Sequence, residues 1–372
     1  MQVLLISDSA LPRHDGIATS LRSLTAILDS LGIDVTLIGT AATPQSYPHA
    51  HVLSVPTMTS YCDYPLAWPE PMTLRRAIRA SDVVHIHTLG PLGVMGLLAA
   101  KASRRPTVLS IHTNFDAYAE YYPVVRFGLR ILAMLTTGRQ KAQPLHSIAR
   151  AAAAFAEVIV LPRFEQAESL ATVQRHPRSY VIPNEVFLTN PIIPKGDSEA
   201  DIIYVGRMAA EKSVDTLLRC FANCVLKRDN SRHLTLVGDG PKLSYLRSYA
   251  TNLGLGERNI KWLGDIDNDA VLRLMSVSRA LAFPSLSEID PMVLAEAAAI
   301  GLPAVVRDSR LIGYHTQDME ILAADCESFG QALLATKRTR KSYVAQDEAK
   351  FRTAEQWHDV YQSLSRFNNA LT

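Results

Sequence analysis

RALAFPSLSEIDPMVLAEAAAIGLPAVV, residues 279–306, reads as strand, turn, helix and strand in immediate succession. Arg279–Phe283 is a short apolar run, Pro284–Pro291 carries the turn residues, and Ala304–Val306 is apolar again after Gly301 and Pro303. Strands joined through a helix in this way are parallel neighbours in one sheet. The stretch also places Glu288 and Glu296 eight positions apart. In a continuous helix both carboxylates would share one face. If the helix starts only near Pro291, Glu288 instead lies in the loop at its N-terminus. In either arrangement two ionised acids stand at the carboxyl edge of a sheet. There they can accept hydrogen bonds from several hydroxyl groups, which points to a polyhydroxylated ligand such as a sugar.

Working outward, the same alternation runs through the chain. Strand-like segments fall at Val3–Ser7, Val35–Ile38, His51–Val55, Val83–His87, Val108–His112, Val158–Leu161 and Tyr180–Ile182. Between the first two, Ile17, Leu21, Leu24, Leu28 and Leu31 form one helical stripe that Gly32 ends. Pro183–Lys195, with three prolines and two asparagines, reads as a linker. A second set follows at Ile202–Val205, Leu234–Val237, Ile260–Leu263, Ala280–Phe283 and Ala304–Val306. The fold class is therefore α/β, with two successive doubly wound units, residues 1–185 and 186–345, and a final helical segment, 346–372. Phe351, Trp357, Tyr361 and Leu364 give that last segment an apolar face. Ligands of such sheets bind beyond the carboxyl ends of the strands, so the expected site is a cleft between the units.

The 372-residue length suits two ordinary domains, and a net charge of +2 speaks against a general polyanion or nucleic-acid binder. Four cysteines, Cys62, Cys220, Cys224 and Cys326, fit a reducing compartment better than a disulfide framework. Cys220 and Cys224, one helical turn apart, read as buried thiols. No apolar run approaches the roughly 20 residues of a membrane span, so the expected location is cytoplasmic or peripheral to a membrane.

Several turns carry chemistry. Tyr204-Val205-Gly206-Arg207 ends a strand and Glu211-Lys212-Ser213 opens a helix, bringing Arg207 and Lys212 to one sheet edge as a diphosphate cradle. Gly238-Asp239-Gly240-Pro241 is a tight turn or the lining of a nucleoside pocket. Pro12-Arg13-His14-Asp15-Gly16 precedes the first helix, where Gly16 leaves amides for a phosphate or hydroxyl. His112 ends a strand within reach of a sugar, or is structural. His85 and His87 read as lying on opposite faces of their strand. Asp265-Ile266-Asp267 reads as helix capping and solvated charge rather than a metal site. From Tyr121 to Ala156 there are cations but no Asp or Glu, with apolar residues interleaved. That region is either a packed helix pair or a surface for an anionic membrane or a phosphate-bearing lipid.

Taken in order, the Gly16 loop, HIHT (85–88), IHTNFDAY (111–118), VIPN (181–184), VGRMAAEKSVD (205–215), LVGDGP (236–241), WLGDI (262–266) and the Glu288/Glu296 pair resemble the family-4 retaining glycosyltransferases of the GT-B fold over nearly the whole chain. The resemblance implies two Rossmann-like domains facing a central cleft, with the C-terminal helix crossing back to the first. It implies metal-independent transfer of a hexose from a nucleotide-diphosphate sugar, with no cofactor and with retained configuration. The catalytic set would be Arg207, Lys212, Glu288 and His112. The donor would be held by Gly16, Gly206, Gly238, Asp265, Pro291, Met292, Val293 and Glu296. Asn114, Tyr118, Arg126 and Arg130 would face a lipid or glycan acceptor and the membrane. Ile289-Asp290-Pro291 stands where the family usually has Gly-Phe-Gly, which leaves a second reading, a catalytically weak nucleotide-binding or partner subunit.

Overall fold

The computed structural model describes residues 1–10, 16–61, 64–112, 152, 155–162, 178–184, 200–312, 320–336 and 346–369. They group into two compact units, residues 1–185 with 348–372, and residues 186–347.

In the first unit, β1 (Gln2–Ser7), β2 (Asp34–Thr40), β3 (His51–Val55), β6 (Val83–Ile86), β7 (Thr107–Ser110), β8 (Val158–Leu161) and β9 (Ser179–Val181) form one sheet in the order β3-β2-β1-β6-β7-β8-β9. Every pairing in it is parallel. An antiparallel hairpin, β4 (Thr57–Tyr61) and β5 (Tyr64–Ala67), follows β3. Helix α1 (Gly16–Ser30) buries Leu21, Leu24 and Leu28 of the anticipated stripe, and Gly32 ends it at φ +68°. Helices α2 (Pro71–Ala80) and α3 (Pro91–Ala102) bury Leu74, Ile78, Leu92 and Leu97 on Leu4, Ile6, Val84 and Ile86 of the sheet.

The second sheet runs β12-β11-β10-β13-β14-β15, with β10 (Ala200–Val205), β11 (Leu234–Val237), β12 (Ile260–Gly264), β13 (Ser278–Phe283), β14 (Ala304–Val306) and β15 (Glu320–Leu322). It is parallel throughout. Its strands are apolar on both faces because both are covered. Ile202, Leu234, Ala280 and Val305 meet α4 (Val214–Cys220), α5 (Leu243–Asn252) and α8 (Cys326–Ala335). Ile203, Val237, Leu281 and Val306 meet α6 (Asn268–Val277) and α7 (Met292–Ala299). Each fully buried Val, Leu or Ile among them contributes about 1.5–3 kcal/mol.

The last helix, α9 (Gln346–Asn369), packs on the first unit. Trp357, Val360, Tyr361 and Leu364 are buried, and Tyr361 Oη lies 2.6 Å from His85 Nδ1. Two expectations are corrected here. His85 and His87 share a face, with ring centroids 4.0 Å apart, since positions i and i+2 of a strand point the same way. Cys220 is not a free thiol. It is bonded to Cys326, 106 positions along the chain, because α8 packs against α4; Cys224 remains a buried free cysteine. Cys62 lies outside the described residues.

Candidate functional site

Both sheets reverse their strand order beside the first strand of the unit, between β1 and β6 and between β10 and β13. A crevice opens where the connections diverge to opposite faces, so side chains just after those four strands are the natural ligand contacts. In the second unit those positions hold Arg207 after β10 and Glu288 after β13.

The chain builds this corner with few parts. After Arg207 a short 3₁₀ turn, Ala210–Lys212, ends at Ser213 in the left-handed region (φ 53°), which lets α4 start on a new axis. The turn directs Glu211 inward and Lys212 outward. Glu211 is fully buried and accepts from Arg207 Nη2 at 2.5 Å, one turn back. Lys212 Nζ donates to Glu288 Oε1 at 2.5 Å. The loop after β13 is fastened to the same turn. Ser285 Oγ lies 3.0 Å from Glu288 Oε1 and 3.2 Å from the Glu211 carbonyl oxygen, and Ser287 Oγ donates to that carbonyl at 3.2 Å. Two cations and two carboxylates therefore meet within one hydrogen-bonded cluster. Lys212 and Glu288 are each roughly one-fifth exposed, so a ligand can reach them. Beneath the cluster, Tyr204 Oη donates to the Arg207 carbonyl at 3.1 Å. Burial first, and the nearby Glu288 and Glu211 charges second, hold that phenol well above its ordinary pKa.

Helix α7 starts at Met292 with Pro291 as its N-cap, so of the two arrangements the sequence allows, Glu288 is in the loop and Glu296 in the helix. Pro291 supplies φ −73°, and neither Ile289 nor Asp290 has positive φ, so this loop closes without glycine. Ile289, Asp290 and Met292 are buried, and Val293 packs against the core. The Leu294 amide donates to the Pro291 carbonyl at 2.9 Å, closing the first turn of α7. Glu296 is buried with Asn268 as its hydrogen-bond partner, and burial raises its pKa to about 7. Gly238 brings β11 against β10: a Cβ there would lie 2.1 Å from the Gly206 carbonyl oxygen, and φ is +121°. Asp265 is exposed beyond β12, and Asp267 caps α6 by accepting from Ala270 N at 2.8 Å. Asp308 and Arg310 were absent from the sequence-derived set. Arg310 Nη2 bonds Asp308 at 2.7 Å and the Leu286 carbonyl at 2.7 Å, clamping the Glu288 loop to the end of β14.

In the first unit, His112 follows β7, and its Nε2 lies 3.2 Å from His87 Nδ1 with the rings stacked. Burial, and then the neighbouring histidines, push His85 and His87 well below the usual imidazole pKa, so both are neutral at pH 7. His87, His112, Ser20 and Asn184 line a cavity of about 20 Å³, room for one water. Gly16 is the exposed first residue of α1. Asp8 also escaped the sequence reading. It is buried and accepts from the Leu92 and Gly93 amides at 3.1 and 3.2 Å and from Thr88 Oγ1 at 2.8 Å. It thus anchors the N-terminus of α3, and burial raises its pKa despite those bonds. Asn114, Tyr118, Arg126 and Arg130, most of the linker and most of the 121–156 region lie outside the described residues.

The family model described as Glycosyltransferase Family 4 matches residues 14–188, and that described as Glycosyl transferases group 1 matches residues 189–329. The alpha-monoglucosyldiacylglycerol synthase of Acholeplasma laidlawii is 25% identical over 321 residues, covering 82% of this chain and 80% of that protein. The synthase of the same name from Streptococcus pneumoniae is 22% identical, covering 82% and 70%. Among solved structures, S. aureus TarM in complex with UDP superposes with a TM-score of 0.68 at 10% identity, covering 98% of this chain and 99% of that one. Anabaena HepE, in complex with UDP and glucose, gives 0.64 at 17% identity over 100% and 99%.

Proposed function

Because the chain belongs to the family-4 glycosyltransferases of the GT-B fold, we propose that it moves a hexose from a nucleotide-diphosphate sugar to a lipid-linked or cell-envelope acceptor with retention at the anomeric carbon. One observation carries the reading: at the switch point of the second unit, Lys212 is bonded to Glu288 within the cluster that holds Arg207. Cleaving the bond between C1 and the phosphate oxygen leaves a nucleoside diphosphate whose new charge needs cations already in place. Arg207 and Lys212 supply them, so no metal is required. Before the donor arrives, Glu288 holds Lys212 in position. The diphosphate then takes over Lys212, and the freed carboxylate accepts from hydroxyls of the hexose.

Glu296 lies on the helix that follows and takes the ribose hydroxyls, while Gly206 and Gly238, whose missing side chains let β10 and β11 close on each other, shape the turns that face the nucleotide. The family resemblance gives His112 and Gly16 roles toward the sugar and the phosphate. The acceptor hydroxyl attacks C1 on the face the phosphate leaves, and its proton passes to the departing phosphate oxygen. The lipid acceptor is supported by the two diacylglycerol-glucosylating relatives, and retention by the alpha configuration in their names.

The test is incubation with UDP-glucose or GDP-mannose and diacylglycerol or its monoglucoside, in the presence of a chelator. An α-linked glycolipid and free nucleoside diphosphate are expected. A β-linked product, or transfer abolished by chelation and restored by a divalent cation, would refute the corresponding part.

A further inference from the structure

Helices α2 and α3 lie side by side on one face of the first sheet, far in sequence from the turns that carry the candidate site, and a groove of about 670 Å³ runs between them. That volume is in the range of about 300–1,000 Å³ typical of small-molecule sites. Its lining is segregated. Leu74, Met95 and Ala99 give it an apolar wall, while Arg75, Arg79, Arg104 and Arg105 bring four guanidinium groups to it.

The cations are not balanced locally. Arg105 donates to the Arg79 carbonyl at 2.7 Å, and among the described residues no carboxylate pairs with Arg75, Arg76, Arg79 or Arg104. The acids flanking these helices have other partners: Glu70 accepts from Thr73 Oγ1 at 2.7 Å, Asp82 from the amide of Gln2 at 2.8 Å, and Glu157 from Thr107, with Lys101 at 3.6 Å. The ridges beside the groove are apolar and open, with Met72 68%, Leu98 46% and Val94 40% exposed. The helices need Leu74, Ile78, Leu92 and Leu97 for the core, and those are buried. Met72, Val94 and Leu98 stand outside that buried cluster. Exposed apolar ridges beside unpaired arginines suit a surface that is anionic at its face and hydrocarbon beneath it.

We propose that the α2–α3 face docks on an anionic bilayer, with a phospholipid phosphate held by Arg75, Arg79 and Arg104 and the hydrocarbon edge taken by Met72, Met95 and Leu98. A nucleic acid would meet the same charge, but it has no use for three exposed aliphatic side chains. This assignment places docking on residues 71–105. It deepens the lipid-acceptor reading, yet vesicle binding is measured without donor or acceptor, so either can fail alone.

The experiment is flotation of the full chain with phosphatidylcholine vesicles, with and without phosphatidylglycerol. Binding is expected only with the anionic lipid and is expected to weaken as salt rises. Each Arg near such a surface contributes about fivefold, so R75Q/R79Q/R104Q should weaken binding roughly a hundredfold. M72S/M95S/L98S should also weaken it, while leaving the salt dependence in place. Both triple variants are surface changes, and each should keep wild-type unfolding and wild-type transfer to a detergent-dispersed acceptor. The proposal is overturned by equal binding to neutral and anionic vesicles. It is also overturned if the R75Q/R79Q/R104Q chain floats as wild type, or if RNA binds more tightly and displaces vesicles.

Discussion

Replacing Glu296 with Gln should stabilise the second unit in a way that depends on pH. Its carboxyl is buried in the folded chain, and burial lifts its pKa from 4.5 to about 7. A raised acid favours the protonated form in the fold, so between these two values the folded state binds more protons than the unfolded one. Stability therefore falls as pH rises from about 4.5 to about 7 and is level beyond. At 1.36 kcal/mol per unit, a difference of roughly 2.5 units costs about 3 kcal/mol above pH 7. Gln has the same shape and never ionises. Glu296→Gln should match wild type near pH 4.5 and exceed it by about 3 kcal/mol at pH 8. For a unit this size that is roughly 6–12 °C in Tm. The two units need not unfold together, so urea titrations read by hydrogen exchange in peptides from β13 and α7 isolate the relevant transition. A wild-type-minus-variant difference that stays flat from pH 4.5 to 8, or slopes the other way, would refute the burial argument.

Other outcomes follow from the same geometry. His85 and His87 are held neutral, so the first unit should lose stability as pH falls below about 6.5, the ordinary imidazole value, and exchange in residues 83–88 should accelerate there. Gly238→Ala forces a Cβ onto the Gly206 carbonyl at positive φ and should cost at least about 2 kcal/mol in urea titration. Arg207→Ala should destabilise by about 3–5 kcal/mol, because it leaves Glu211 buried without its cation; a variant of unchanged Tm would contradict that pairing.

Much of the fold was legible because parallel strands buried on both faces write themselves as short Val/Ile runs. His51–Val55, Val158–Leu161, Leu234–Val237 and Ala304–Val306 have the same bounds in the sequence reading and the structure. The β4–β5 hairpin and β15 lacked that signature. Tyr64-Pro65 does not look like strand, and Glu320–Leu322 is a short edge with exposed Ile321 and Leu322. At the site, the sequence could place Arg207, Lys212, Glu288 and Glu296 at sheet edges but could not say what they touch. The Lys212–Glu288 pair spans 76 positions and the Arg310–Leu286 bond 24, so neither lies within a local window. Asp8 had a readable signal, an acid directly after the first apolar strand, but it binds the start of α3, more than 80 positions away. The Cys220–Cys326 bond was hidden for the same reason.

The account rests most heavily on Lys212 as a fixed cation for the departing diphosphate, and kcat/KM for nucleotide-sugar-dependent glycolipid synthesis by Lys212→Met measures this directly. Lys212 is partly exposed on a turn, so the variant should fold as wild type. Loss of one preorganised charge at the leaving group predicts a fall of roughly 100- to 1,000-fold. A folded Lys212→Met chain that makes glycolipid at the wild-type rate would contradict the account.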